Sequence, residues 1–285
     1  MKQSIMWKAA LCGAAIVGMA MMAGCGSDKA ASSQAASAAQ PKGELLQQIK
    51  QRGKLIVGTA SGFPPYEFID TSKSEKTVTG IDMALAQKIA DKLGVKLEIQ
   101  DMNFSAILSS MAANKVDIAI SGMTPTAERK KAVDFSGVYL NDHNVMLVRK
   151  EDAGKYKTLA DFYGKKIAVQ KSTQQEKLAK EHIKDGQIVS LDKIGDALME
   201  MQHGKVDGVP AQQVVAQQYL IMNPELADSG VIFEGADSAS AVAVPKGNDD
   251  LLKIINDVIT ESNDAGDFQK WAKEYSELAV KNAKK

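Results

Sequence analysis

The chain has 285 residues, 45% of them hydrophobic and 25% charged, with 35 basic and 35 acidic side chains. That length allows one large domain or two smaller ones, and the even charge offers no concentrated basic face for nucleic acid. The sequence holds two cysteines and three histidines, His143, His182 and His203, without metal-ligand spacing. That rules out a disulfide framework and argues against a metal site.

The first residues read as a targeting segment. Lys2 and Lys8 make a basic start, and residues 9–22 form an apolar core shorter than the ~20 residues of a membrane span. Met22-Ala23-Gly24-Cys25 follows and resembles a bacterial lipobox. Residues 1–24 are therefore expected to be a lipoprotein signal peptide, cut before Cys25, which carries the lipid (palmitate) anchor. Cys12 leaves with the signal, and the loss of Lys2 and Lys8 makes the processed chain slightly acidic. Residues 25–43 are mostly Ser, Ala, Gln and Gly, too poor in large apolar residues to fold, and read as a flexible tether. Anchor and tether together hold a protein to a membrane without spanning it.

Residues 44–52 have a helical pattern that Gly53 stops, and Lys-Leu-Ile-Val-Gly at 54–58 reads as a strand. Pro64 and Pro65 then forbid a helix in 59–70 and give an extended, turning loop. Three aromatics gather there in a chain with only 5% aromatic residues. Phe68 is expected at a core edge, and Phe63 as a pocket wall. Ile81, Leu85, Ile89 and Leu93 mark one face of a helix over 81–93, closed by Gly94. A strand at 95–100 and a helix at 105–113, burying Ile107, Leu108 and Met111, come next.

Residues 117–120 read as a short buried strand that Ser121 and Gly122 interrupt. Thr124 and Thr126 offer hydroxyls, and Thr126 can cap a short helix holding Glu128 and Arg129. A guanidinium, hydroxyls and backbone N–H groups are thus gathered at the carboxyl end of a strand, where open α/β sheets place ligands. The planar arginine fork suits a carboxylate. The order β-α-β-α-β predicts a parallel sheet with helical crossovers. Strand-like segments at 133–135 and 145–148 complete this part.

From about Lys155 the pattern restarts. A helical turn at 158–162 precedes strands at 166–170, 187–189, 206–209 and 231–233. Helices at 172–182, 192–202 and 212–221 lie between them. Two lobes of similar plan follow, with chain crossings near 142–144 and 234–240. A strand at 240–244 and helices at 249–262 and 267–276 return to the first lobe. The expected division is 44–142 with 240–285 as lobe 1, and 143–239 as lobe 2.

Read together, these stretches resemble the bacterial family 3 extracellular solute-binding proteins, the polar amino-acid receptors of ABC importers. The carriers are Phe63-Pro-Pro-Tyr-Glu-Phe68 after the first strand, Gly80-Ile-Asp-Met-Ala-Leu-Ala86, Gly122-Met-Thr-Pro-Thr-Ala-Glu-Arg129, the segment from Leu159 to Gln170, and Gly204-Lys-Val-Asp-Gly208. The resemblance implies an α/β, two-lobed, type II periplasmic-binding-protein fold. Each lobe would be a mainly parallel sheet flanked by helices, closing over a ligand on a two-strand hinge. It further implies a monomer that binds a free amino acid and docks on an ABC transporter membrane permease. The protein would face the periplasm or the cell surface from the cell membrane, with no cofactor and no enzymatic activity.

The resemblance also carries site residues. Arg129 would grip the α-carboxylate, helped by the N–H groups of Thr124 and Thr173, the latter at a helix start that favours an anion. The Gly122 carbonyl and Thr124 hydroxyl would accept from the α-ammonium. Phe63 and Phe104 would wall the side chain, and Gln170 and Gln174 would read it. Two positions depart from the family pattern. Gln212 stands where an aspartate usually pairs the ammonium, and a neutral hydrogen bond is worth ~0.5–1.5 kcal/mol against ~1.5–3 for a charged one. Ala60 stands where receptors for glutamine or basic amino acids often carry an aspartate. Together they favour a polar or uncharged amino acid. The alternatives are a basic amino-acid receptor (Arg, Lys or His) and a cyclohexadienyl-dehydratase-like enzyme on the same fold. An enzyme needs a placed acid or base, and the cleft positions named from sequence hold no carboxylate or histidine pair. A sensor domain is a further alternative, against which stands the polar helix near Lys285 in place of a membrane span.

Overall fold

Gly122 and Arg129 are held by strand ends, so the order of the strands decides where they sit. The computed structural model describes residues 44–284 except 73, and the side chains among them except those of 234–236. The expected signal peptide (1–24), the lipid site at Cys25 and the tether (25–43) lie outside these residues. Among the described residues, no helix is long and apolar enough to cross a membrane.

The chain opens with α1 (Glu44–Arg52), β1 (Lys54–Thr59), a hairpin of β2 (Phe68–Asp70) and β3 (Thr77–Thr79), α2 (Ile81–Leu93), β4 (Lys96–Asp101), α3 (Phe104–Ala112), β5 (Ile118–Ala119), α4 (Arg129–Ala132) and β6 (Val133–Phe135). It continues through β7 (Leu140–Arg149), β8 (Lys166–Gln170), α5 (Gln174–His182), β9 (Gln187–Leu191), α6 (Ile194–Gln202), β10 (Val209–Gln212), α7 (Gln213–Met222) and β11 (Leu226–Ser240). It closes with β12 (Ala243–Pro245), α8 (Asp249–Asp264) and α9 (Asp267–Ala283). β2 falls inside the stretch expected as loop, and β3 in the residues before α2 that were given no element, because three-residue strands are too short to show a period.

Five strands pair in the order β4-β1-β5-β12-β6. β1 runs parallel to β4 and β5, whereas β12, arriving from the far end of the chain, pairs antiparallel to β5 and β6. A second sheet has the order β10-β7-β11, and β8 pairs in parallel with β9 beside it. An Ile167–Gly208 bridge links β8 to the approach of β10. The parallel character expected of both lobes is therefore found at β4-β1-β5 and β8-β9, while β10, β7 and β11 pair antiparallel. β7 and β11 are the long strands that carry the chain from one sheet to the other. Their pairing of Leu140 with Ser240 and of Asp142 with Ser238 lies at the crossings read from sequence.

Several boundaries moved, among them 145–148, which grew to Leu140–Arg149, 240–244, which became Ala243–Pro245, and 267–276, which grew to Asp267–Ala283; two bear on the site. The strand expected at 206–209 lies at Val209–Gln212, although Asp207 N and Gly208 O still bond to β8. Pro210, which cannot donate to a ladder, is accepted because β10 is an edge strand. Gln212 therefore ends a strand and precedes a helix. The strand expected at 231–233 extends over Leu226–Ser240, because pairing with β7 orders weak strand formers such as Asp228, Asp237 and Ser238.

Ile81, Leu85, Ile89 and Leu93 are buried as the period predicts, packed with Leu55, Val57 and Ile118 of the sheet. Gly80 sets how α2 starts. At φ +134° its backbone packs against Tyr66, whose carbonyl oxygen would lie 2.1 Å from any added Cβ. The same turn accepts Ile81 N and Asp82 N on the carbonyls of Pro65 and Tyr66, at 3.0 Å each. The Gly80→Ala substitution is expected to destabilise the protein by at least ~2 kcal/mol. Urea unfolding of the two proteins side by side measures this.

Candidate functional site

Loops at the carboxyl ends of β1, β5, β8 and β10 face one cavity. All ten residues expected at the site line it. Ala60, Phe63, Phe104, Gly122, Thr124 and Arg129 come from the side of the five-stranded sheet. Gln170, Thr173, Gln174 and Gln212 come from the other side. Three further residues complete the lining, namely Glu67, Ser121 and Gln175. Glu67 adds a carboxyl group that was not among the cleft positions named from sequence. The signal for it was present in the sequence, since it is an acid set between the aromatics Tyr66 and Phe68.

The floor is a buried carboxyl network. Gly122 N donates to Asp82 Oδ2 at 2.7 Å, and the Tyr139 hydroxyl donates to Asp82 Oδ1 at 2.8 Å. Ser121 Oγ donates to Glu67 Oε1 at 2.7 Å and accepts from Ala60 N at 3.2 Å. Burial pushes the Glu67 carboxyl well above the usual carboxylate range, and the neighbouring Asp82 charge pushes it further. Glu67 thus keeps its proton and donates it to Asp82. Burial pushes Asp82 up to about 6, against the bonds it receives from Gly122 and Tyr139. Gly122 turns at φ +50° with the Phe63 ring 3.1 Å from where a Cβ would stand, so a side chain here would strain the turn and crowd the ring.

Arg129 starts α4, with its N–H on Thr126 Oγ1 at 3.3 Å, so Thr126 caps as expected. Its Nη1 donates to Thr124 O at 2.8 Å, and its Nη2 donates to Ser172 O at 2.8 Å on the opposite side of the cavity. The Phe104 ring lies 5.1 Å from the guanidinium, so this expected wall also supports the cation. Burial pulls the Arg129 pKa down to about 10 while Glu128 raises it, and the group stays charged at neutral pH. Its bonds go to neutral carbonyls, and it is the one basic residue in the lining.

Gln212 is buried. Its Nε2 donates to Gly122 O at 3.3 Å and to Ser238 Oγ at 2.6 Å. A carbonyl can only accept, so the amide nitrogen faces Gly122 and Oε1 is left buried without a partner. Thr124 Oγ1 lies 3.4 Å from Ser238 Oγ. Thr173 caps α5, accepting from Glu176 N at 3.2 Å and donating to Gln170 O at 2.6 Å. The two glutamines expected to read a side chain are already engaged. Gln170 Nε2 donates to Asp192 O at 3.2 Å, and Gln174 Nε2 donates to Asp237 O at 3.2 Å. Gln175 donates to Asn144 Oδ1 at 2.7 Å. Among the described residues, no group of three His, Cys, Asp or Glu side chains could hold a metal ion.

Residues 55–277 match the family model of the bacterial extracellular solute-binding proteins, family 3. The chain belongs to this family. It is 34% identical over 227 residues to the arginine-binding extracellular protein ArtP of Bacillus subtilis (strain 168), covering 78% of this chain and 86% of that one. It is 31% identical to the L-cystine-binding protein TcyJ of Escherichia coli (strain K12), over 79% and 83% of the two chains. The crystal structure of the substrate-binding protein AbpA from Streptococcus pneumoniae Canada MDR_19A, bound to L-arginine, superposes with a TM-score of 0.80 at 33% identity, covering 82% of this chain and 99% of that one. These relatives are binding proteins, and the fold is the type II, two-lobed one.

The carboxyl pair sets a pH dependence. Both groups hold their protons more tightly in the folded state than in the unfolded chain. Their contribution to stability is therefore greatest in acid and is lost as pH rises from about 4 through about 6 and beyond. The Glu67→Gln variant keeps a donor for Asp82 and an acceptor for Ser121 with no proton to lose. In urea unfolding from pH 4 to 8 it should gain stability relative to wild type as pH rises. A parallel pH dependence of the two proteins would refute the shared-proton assignment.

Proposed function

We propose that the protein is an extracytoplasmic receptor for a polar amino acid that delivers its ligand to an ABC transporter permease. The observation that carries this reading is Arg129, a half-buried guanidinium at the cavity whose hydrogen bonds go only to neutral carbonyls. It keeps donors for a carboxylate, which would supply the missing countercharge in a poorly hydrated place. Thr124, Thr173 and Gly122 stand around it as the α-carboxylate and α-ammonium partners. The amide of Gln212 takes the ammonium end through Oε1, its one unused acceptor. The family's extracellular setting and the amino-acid names of its relatives support this reading.

The ligand contacts come from both lobes, so binding favours the closed arrangement by its differential contacts. The permease would read that closure. Cys25 would carry the lipid anchor, residues 25–43 would be the tether, and residues 44–142 with 240–285 and residues 143–239 would be the two lobes of a monomer. The protein does no chemistry on its ligand. The cavity's one carboxyl group, Glu67, is committed to Ser121 and Asp82, and no second acid or base lines it.

Calorimetry against the common amino acids tests this reading. The Arg129→Ala variant should lose at least ~100-fold in affinity, since a buried charged pair is broken, while its melting curve stays near wild type. Wild-type affinity in the variant would sink the carboxylate assignment. Gln212→Glu restores a charge at the ammonium end and should tighten binding by ~10-fold at neutral pH. Unchanged binding would show that Gln212 does not face the ammonium.

A further inference from the structure

Ser238 stands behind the inner cavity and has no part in the contacts proposed so far. It lies on β11 opposite Asp142 of β7, while Gln212 of β10 lies opposite Asn144 of the same strand. Positions 142 and 144 are two apart, so Ser238 and Gln212, on the two outer strands, project from one face of the sheet. The long amide of Gln212 reaches over β7 to the hydroxyl, Nε2 to Oγ at 2.6 Å. From the side of the five-stranded sheet, Thr124 Oγ1 comes within 3.4 Å of the same oxygen. All three side chains are buried, so each polar hydrogen needs a partner close by.

The donors and acceptors give these contacts a direction. Gly122 O can only accept, so Nε2 makes the 3.3 Å contact to it and the amide cannot be turned over. Nε2 therefore also donates to Ser238 Oγ, and the Ser238 hydroxyl keeps its own proton to give. Thr124 Oγ1 is within reach to accept it. Thr124 O is already held by Arg129 Nη1 at 2.8 Å, and the threonine side chain lines the cavity. The chain of bonds that starts at Gln212 and passes through Ser238 thus ends in a Thr124 O–H that the cavity can use. A carboxylate at position 212 would reverse it, because a carboxylate has no proton to give. Ser238 would then donate to position 212 and accept from Thr124, leaving the Thr124 oxygen to accept from an ammonium.

We infer that Ser238 is a positioning residue that fixes the direction of this chain of bonds, so that the Thr124 hydroxyl acts on the cavity as a donor and joins Arg129 in holding the ligand's carboxylate. The inference rests on the receptor reading above and reassigns one group within it. The ammonium end is then left to Gly122 O, which has a second lone pair, and to Gln212 Oε1. The amide at position 212 reaches the carboxylate end of the site through the hinge strand.

Calorimetry with two probes tests the direction. The wild type and Arg129→Ala are titrated with the twenty common L-amino acids and L-cystine. The tightest Arg129-dependent binder and the same acid lacking its α-amino group are the probes, the second read by displacement of the first. Thr124→Val should lose about tenfold on both probes, since the lost donor served the group they share. Ser238→Ala should lose ~3-fold or more on both, and adding it to Thr124→Val should cost nothing further, which a merely structural role for Ser238 would not produce. Thermal melting checks that each variant is folded. A Thr124→Val loss confined to the amino acid overturns the inference, because the hydroxyl then serves the ammonium. So do losses that multiply in the double variant, or unchanged binding in Ser238→Ala, and each leaves the receptor reading standing. If the acid without the amino group does not bind, the double-variant comparison on the amino acid decides. If no amino acid binds in an Arg129-dependent way, the receptor reading and this inference fall together.

Discussion

The site hangs from one buried carboxylate. Asp82 sits in the first turn of α2 and takes hydrogen bonds from the Gly122 backbone and the Tyr139 hydroxyl, while Glu67 shares its proton with it. Those contacts join the start of a helix, the turn after β5, the aromatic loop after β1 and the entry to the hinge. Without a fixed Gly122 amide, the turn that carries Thr124 and leads to Arg129 has no defined position. A buried carboxyl pair is costly when ionised. Glu67 stays protonated, which removes one charge and supplies a donor for the other. The fold gives up some stability at neutral pH to hold this turn.

Upon that floor the cavity has an uneven electrical balance. Its cation, Arg129, is desolvated and bonded only to carbonyl oxygens. Its acid, Glu67, is neutral. Gln212 brings an amide and no charge. The inner cavity therefore attracts an anion more strongly than it rewards a cation. Negative charge lies at its edges, at Glu128 beside Arg129 and at Asp101 and Asp192 near Ala60.

Much of this was legible in residue order. Helical periods placed α2, and Gly94 ended it at the expected residue with φ +70°. The turn after β5, the Thr126 cap and the arginine all fell where the local pattern put them. The ten cavity residues came from resemblance carried position by position, and each lines the cavity. Less visible were Glu67 and Asp82, because an acid in an aromatic loop and an acid in a helix's first turn each have an ordinary reading on their own. The hinge strands were also underestimated, since β11 is built from residues with little intrinsic strand preference.

What the sequence by itself determined was the set of elements, the family and the residues that line the cavity, because periodicity, caps and turn residues act over a few neighbours. The tertiary structure alone decided which groups meet. Residues 67 and 82 share a proton, Gln212 donates to Gly122 across the lobes, and Asp101 faces the space beyond Ala60. These meetings depend on the register of β1 with β4 and on β7 and β11 carrying the chain between sheets. Burial, which sets the charge state of every group at the site, is a property of that assembly and of no single stretch of chain.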